Sequence, residues 1–145
     1  MLRNLVITAA LLIAAPACAS EADDVMVPIK AFVAAIDKGD MAAAAAAHVA
    51  APSITDEFPS YHWTSLGAWG ADFGKDAAAH GDTGGRLDIV KTGRVLVEGD
   101  HAYAVVATDF SFKRAGKPVT EHGSTTYALD KTAGGWRIAA WTWTW

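Results

Sequence analysis

The sequence predicts an α+β domain in which helices come first and an antiparallel sheet follows. Apolar residues recur at helical spacing in the first half of the chain, whereas the second half alternates with period two. Glu98-Gly99-Asp100, Arg114-Ala115-Gly116 and Thr132-Ala133-Gly134-Gly135 separate the alternating runs as short hairpin turns. Helices and strands do not alternate one for one, so the order is not that of βα repeats on a parallel sheet.

Each element has a local reason. Val25, Ile29, Phe32, Val33 and Ile36 form a helical stripe over Val25 to Lys38, with Pro28 tolerable only near the helix start. The polar stretch Ser20 to Asp24 reads as a loose lead-in. Gly39 stops this helix, and Asp40 caps a second one running from Met41 to about Val49, before Pro52. Ser53 to Thr55 reads as a short strand leading into a polar-aromatic loop, Asp56 to Trp63. Thr64 or Ser65 then caps a third helix running to about His80, with Leu66, Trp69 and Phe73 on one face. Gly81 to Gly85 reads as a turn. Arg86 to Val97, His101 to Lys113, Pro118 to Asp130 and Trp136 to Trp145 read as strands.

The N-terminus has a separate logic. Arg3 precedes an uncharged, mostly apolar run of 11 residues, Leu5 to Ala15, and Ala17-Cys18-Ala19 is a small-x-small cleavage site. This pattern predicts a secretory signal peptide over residues 1–19, cut after Ala19, and the run is too short to span a bilayer. One domain, residues 20–145, is then expected in the periplasm or secreted. Cys18 is the sole cysteine. Cleavage would leave a chain without thiol chemistry; a lipid-modified Cys18 is the competing form.

Composition excludes several functions. The net charge of −4 becomes −5 once Arg3 is removed, and no basic cluster exceeds Lys113-Arg114, so nucleic acid is not an expected partner. No later segment holds the 18 or more apolar residues of a membrane span. The five histidines have no metal-ligand spacing, and phosphate-loop, dinucleotide and nucleophile-elbow motifs are missing, so no metal or cofactor is expected. Six tryptophans are many for this length, and Trp141, Trp143 and Trp145 alternate on one face of the last strand. Tyr61-His62-Trp63 is a cluster able to stack on a flat ligand, or to tuck its own loop down.

The order of elements, together with Phe32-Val33-Ala34-Ala35-Ile36-Asp37-Lys38-Gly39-Asp40, Ile54-Thr55-Asp56-Glu57-Phe58-Pro59 and Gly135-Trp136-Arg137-Ile138, resembles the nuclear transport factor 2-like superfamily. Within it, the chain resembles the SnoaL-like and ketosteroid-isomerase-like proteins. The resemblance implies a cystatin-like cone, three N-terminal helices packed on a curved antiparallel sheet, with a pocket at the open end. It places Trp141, Trp143, Tyr127 and Glu121 on the concave face, and Trp136 and Ile138 on the convex one. Counting along the isomerase pattern puts the general base on Asp56, beside Glu57. The oxyanion-holding tyrosine falls on Phe32 and its protonated-acid partner near Thr125, so steroid isomerisation is not expected.

These readings lead to an exported SnoaL-like protein whose aromatic pocket binds a small, largely apolar molecule. Tyr61, Trp63, Tyr127, Trp141 and Trp143 would line it. The alternatives are a cofactor-free enzyme of the isomerase, dehydratase or hydrolase type, with Asp56 as base and Glu121 or His62 assisting, and an interaction module. A homodimer through the outer sheet face is expected, with Trp136 and Ile138 in the contact. Arg137 or a histidine is the expected partner of Glu121.

Overall fold

The computed structural model describes residues 20–145; the signal-peptide expectation falls on residues outside these. Helix α1 (Glu21–Asp37) starts four residues earlier than the apolar stripe suggested. Ser20 explains this. Its hydroxyl accepts from the Asp23 amide while the Asp23 carboxylate accepts from the Ser20 amide, a reciprocal cap, and Glu21, Asp23 and Asp24 favour the positive end of the helix dipole.

Helix α2 (Met41–Ala46) ends sooner than expected, because its continuation pairs with the last strand. Strand β1 runs from His48 to Thr55 and lies parallel to β6 (Gly135–Thr144), with His48 opposite Ile138 and Ile54 opposite Trp141. The Ile138 amide donates to the Ala47 carbonyl at 2.9 Å. Sheet pairing thus overrides the helix preference of the alanine run. Pro52 falls in the irregular stretch between the paired residues His48 and Ser53, where no ladder amide is needed.

Within the segment read as a loop, His62–Trp63 forms a short strand, β2, paired with β1. The rest follows the expected order: α3 (Leu66–His80, capped by Ser65), β3 (Asp82–Glu98), β4 (His101–Arg114) and β5 (Lys117–Thr132). The turn expected at Gly81 to Gly85 is mostly strand. Arg114 grips Asp82 with two hydrogen bonds of 2.8 and 2.7 Å and carries the β3–β4 hairpin to its end. Sheet order is β2-β1-β6-β5-β4-β3, antiparallel except for the β1–β6 pair. Three register shifts in β3 against β4 let the long hairpin bend.

One further irregularity corrects the expected face of the last strand. Ala128 pairs with Ala140, but Leu129 pairs with Ile138, so Ala139 is an extra residue on β6. A single bulge reverses the alternation. Trp136 and Ile138 are therefore buried in the same core as Trp141, and do not lie on the convex face. That core joins Val25, Ile29, Phe32 and Val33 of α1 to the inward residues of the sheet. At the far end of α1, the Asp37 carboxylate accepts from the Leu87 amide at 2.8 Å and ties the helix to β3.

Ile138 is fully buried, so Ile138→Ala should lower unfolding free energy by about 3 kcal/mol in denaturant titrations; an outward side chain would change it by less than about 0.5 kcal/mol. His48 is also buried, its Nδ1 donating to the Ala44 carbonyl at 2.8 Å and its Nε2 without a partner. Burial pushes its pKa below 6.5, with the Ala44 bond opposing in part. The unfolded chain then binds the proton more readily, so stability should fall as pH drops below about 6.5. His48→Asn, which retains a donor for Ala44, should flatten that part of a melting-temperature against pH curve.

Candidate functional site

The concave side of the sheet and the helices α1 and α3 enclose a cavity of about 800 Å³. Its walls come from distant parts of the chain: Phe32 from α1, Asp56 to Pro59 after β1, Trp69 and Phe73 from α3, and inward residues of β3 to β6. Alternation selects those inward residues. Phe110 and Phe112 on β4, Glu121, Thr125 and Tyr127 on β5, and Trp141 and Trp143 on β6 all line the space.

Asp56 enters the cavity directly after β1. Its Oδ2 accepts from Trp69 Nε1 at 2.9 Å, and its Oδ1 accepts from the Glu57 amide at 2.9 Å. Burial pushes the Asp56 carboxyl above its ordinary range; the two hydrogen bonds pull against that shift, and the nearby charge of Asp76 adds to it. Glu57 is also raised, by burial first and then by the negative charge of Glu121.

Trp69 is the side chain that holds this corner. It stacks on Phe73 with ring centroids 5.5 Å apart and meets Trp141 edge-on at 5.2 Å. Phe58 packs on Trp63, Trp69 and Phe73. Sequence reading assigned Trp69 and Phe73 only to a helix face. Their four-residue spacing, with Trp69 facing the segment after β1, was the available signal for the cavity wall.

Further in, Trp143 Nε1 donates to Thr108 Oγ1 at 3.1 Å, and Thr108 Oγ1 lies 3.5 Å from Thr125 Oγ1. Gly123 makes room for the Trp143 ring: a Cβ there would come within 2.8 Å of the indole and 2.6 Å of the Thr144 carbonyl oxygen. Tyr127 is completely buried with its hydroxyl beside Thr125, and Trp141 Nε1 is buried without a hydrogen-bond partner. Burial pushes the Tyr127 phenol far above its ordinary value, so it remains a donor.

Of the residues singled out in the sequence, Asp56, Glu121, Tyr127, Trp141 and Trp143 share this cavity. Tyr61, His62 and Trp63 are not in its wall. Tyr61 takes a left-handed backbone conformation, φ 66°, in a turn closed onto the Phe58 carbonyl, and the residue is 58% exposed. His62 is exposed and its Nε2 lies 3.2 Å from Ser53 Oγ, so it makes no dyad with Asp56. Trp63 is buried behind Phe58, its Nε1 donating to Asp72 at 3.0 Å. Trp145 reaches the mouth but is 77% exposed. Arg137 does not meet Glu121; its guanidinium donates to the Trp136 carbonyl. Among the described residues no three His, Cys, Asp or Glu side chains converge as a metal-binding group, and no helix is long and apolar enough to cross a membrane.

Comparison with solved structures returns the same architecture. A nuclear transport factor 2-like superfamily protein from Salmonella enterica matches with TM-score 0.71 at 19% identity, covering 86% of this chain and 89% of the other. A candidate ketosteroid isomerase from Shewanella frigidimarina matches with TM-score 0.65 at 22% identity, over 83% and 94%. The CaMKII hub of S. rosetta matches with TM-score 0.70 at 16% identity, over 88% and 98%. At these identities the likeness concerns the fold. No curated protein matches the chain. The SnoaL-like domain pattern matches residues 25–142; the chain belongs to the SnoaL-like family, with the nuclear transport factor 2-like fold.

Proposed function

We propose that this is an exported SnoaL-like protein, periplasmic or secreted, whose cavity binds a small, flat and largely apolar molecule. The observation that carries the reading is the cavity of about 800 Å³ walled by Trp69, Phe73, Phe110, Trp141 and Trp143 and interrupted by a few polar groups. That is the usual make-up of a small-molecule site. The signal-peptide pattern before Ser20 supports export.

A second reading is a cofactor-free enzyme with Asp56 as proton acceptor. The upward shift of its pKa favours it. Two features weigh against strong base chemistry: the Trp69 and Glu57 hydrogen bonds stabilise the ionised carboxylate, and Phe32 offers no hydroxyl to a developing oxyanion. A homodimer through the outer sheet face is supported by its chemistry. Leu96 and Tyr103, opposite each other in register, are 45% and 41% exposed. The outward positions Val105, Ala107, Thr126, Ala128, Ala140 and Thr142 carry no charge.

Titration with flat polycyclic compounds should quench or shift tryptophan emission, and Trp143→Phe should reduce the signal change. Complete silence across such a panel would sink the binding reading. For any compound that is turned over, Asp56→Asn should lower kcat by at least about 100-fold while leaving Kd within about threefold. Light scattering at micromolar concentration should give twice the chain mass, and Tyr103→Glu should return the monomer; a monomeric parent protein would remove the dimer reading.

A further inference from the structure

The mouth of the cavity is unlike its interior. Inside, the rings are held by the protein. Trp69 lies against Phe73 and Trp141, Trp143 is fixed by its bond to Thr108, and Phe112 has Phe110 stacked on it at 5.2 Å and the Arg114 guanidinium 5.0 Å from its centre. Trp145 belongs to the same wall but is three-quarters exposed. Among the described residues no other aromatic ring packs on its indole. The exposed Glu57 carboxylate lies beside it, a polar contact that leaves the ring faces uncovered.

Strand alternation carries the inward face from Trp141 and Trp143 on to Trp145. The β5–β6 ladder, however, ends at the pair Ser124–Thr144. The indole is therefore directed toward the cavity without sheet pairing to hold it there. The other rim of the mouth, three strands away at the start of β3, is formed by Gly84 and Gly85 and carries no side chain. Single exposed apolar residues are ordinary on a protein surface, but this one borders an apolar cavity. A packing role does not account for it, since a ring so exposed fills no space in the core. Covering a flat apolar molecule would remove both surfaces from water, and ring stacking would add to that gain.

We infer that Trp145 is a ligand-binding residue and the closing element of the cavity. The ligand enters over the bare rim at Gly84 and Gly85, and the indole then turns onto its outer face, stacks there and slows its release. The inference rests on the proposed binding function and adds the residue that controls exit. It also assigns the two ends of the cavity different work. The buried rings inside are preformed and set which flat body fits, whereas Trp145 acts only once that body is seated. Its contribution therefore falls on the dissociation rate, because the ring makes its contact after entry.

The test uses 9-anthracenemethanol, a neutral flat tricyclic probe whose own fluorescence reports binding and release in stopped flow. Trp145→Ala should speed release about tenfold while association changes by less than about threefold. Trp145→Phe, which keeps a flat ring, should restore most of the slow release. Tyr61→Ala removes an exposed ring outside the cavity wall and should leave release unchanged. A second readout is the indole N–H resonance that Trp145→Phe deletes from the nitrogen-15 spectrum, which should shift when the probe binds the parent protein. Release from Trp145→Ala within about twofold of the parent, or an indole resonance that does not move, overturns the inference while the pocket stands. Failure of the probe to bind the parent protein overturns the pocket reading itself.

Discussion

The indole of Trp69 is the joint on which the rest of the site depends. Its ring lies between Phe73 on its own helix and Trp141 on the last strand, while its N–H reaches the Asp56 carboxylate. One side chain therefore fixes the position of α3 over the sheet and the direction of the first acid that follows β1 into the cavity. Both demands suit tryptophan: a large apolar face fills the space between helix and sheet, and a single donor at the edge satisfies a partly desolvated carboxylate. Without that donor, Asp56 would have only the adjacent amide of Glu57 to offset its burial.

The last strand meets a different constraint, since it must both close the core beneath α1 and floor the cavity. Strict alternation would send Trp136 and Ile138 outward if Trp141 and Trp143 face inward. The extra residue Ala139 resolves the conflict by reversing the face once, so all four large side chains are inward. Nothing in the residue types announces such a bulge: Ala139-Ala140 is small and neutral, and the register appears only when β6 is laid against β5. The helix-then-meander order was legible because period and turn chemistry are local. The early start of α1 was legible in principle too, as Ser20 and Asp23 have capping-box spacing with a shorter acid in place of glutamate. The switch from helix to strand at His48 was not, because it depends on a parallel partner 90 residues away.

The site shows the same division. Asp56, Glu121, Tyr127, Trp141 and Trp143 meet in one cavity because strand alternation and the family likeness both speak about sheet faces. Tyr61, His62 and Trp63 form a noticeable cluster in sequence, yet their directions are set by a turn whose geometry has no periodic signature. That turn sends one ring to solvent, one imidazole to Ser53 and one indole behind Phe58. Phe110 and Phe112 went unremarked because an aromatic residue on a strand ordinarily signals core; only the width left by Gly85 and Gly123 opens space beside them. A Cβ at Gly85 would come within 3.0 Å of the Phe110 ring, as one at Gly123 would crowd Trp143.

The distribution of polar groups also separates recognition from catalysis in this cavity. Oxyanion chemistry needs donors directed at the atom where charge develops, close to the base that starts the reaction. Here the donors Tyr127 Oη and Trp141 Nε1 are fully buried at the sheet, Phe32 is apolar where the isomerase pattern has a hydroxyl, and Asp56 already accepts two hydrogen bonds. The remaining polar groups of the wall are mostly carboxylates, of which Asp82 is held by Arg114. An environment of this kind offers little to negative charge created during a reaction. The proposed binding function therefore accounts for more of the cavity's features than proton transfer does.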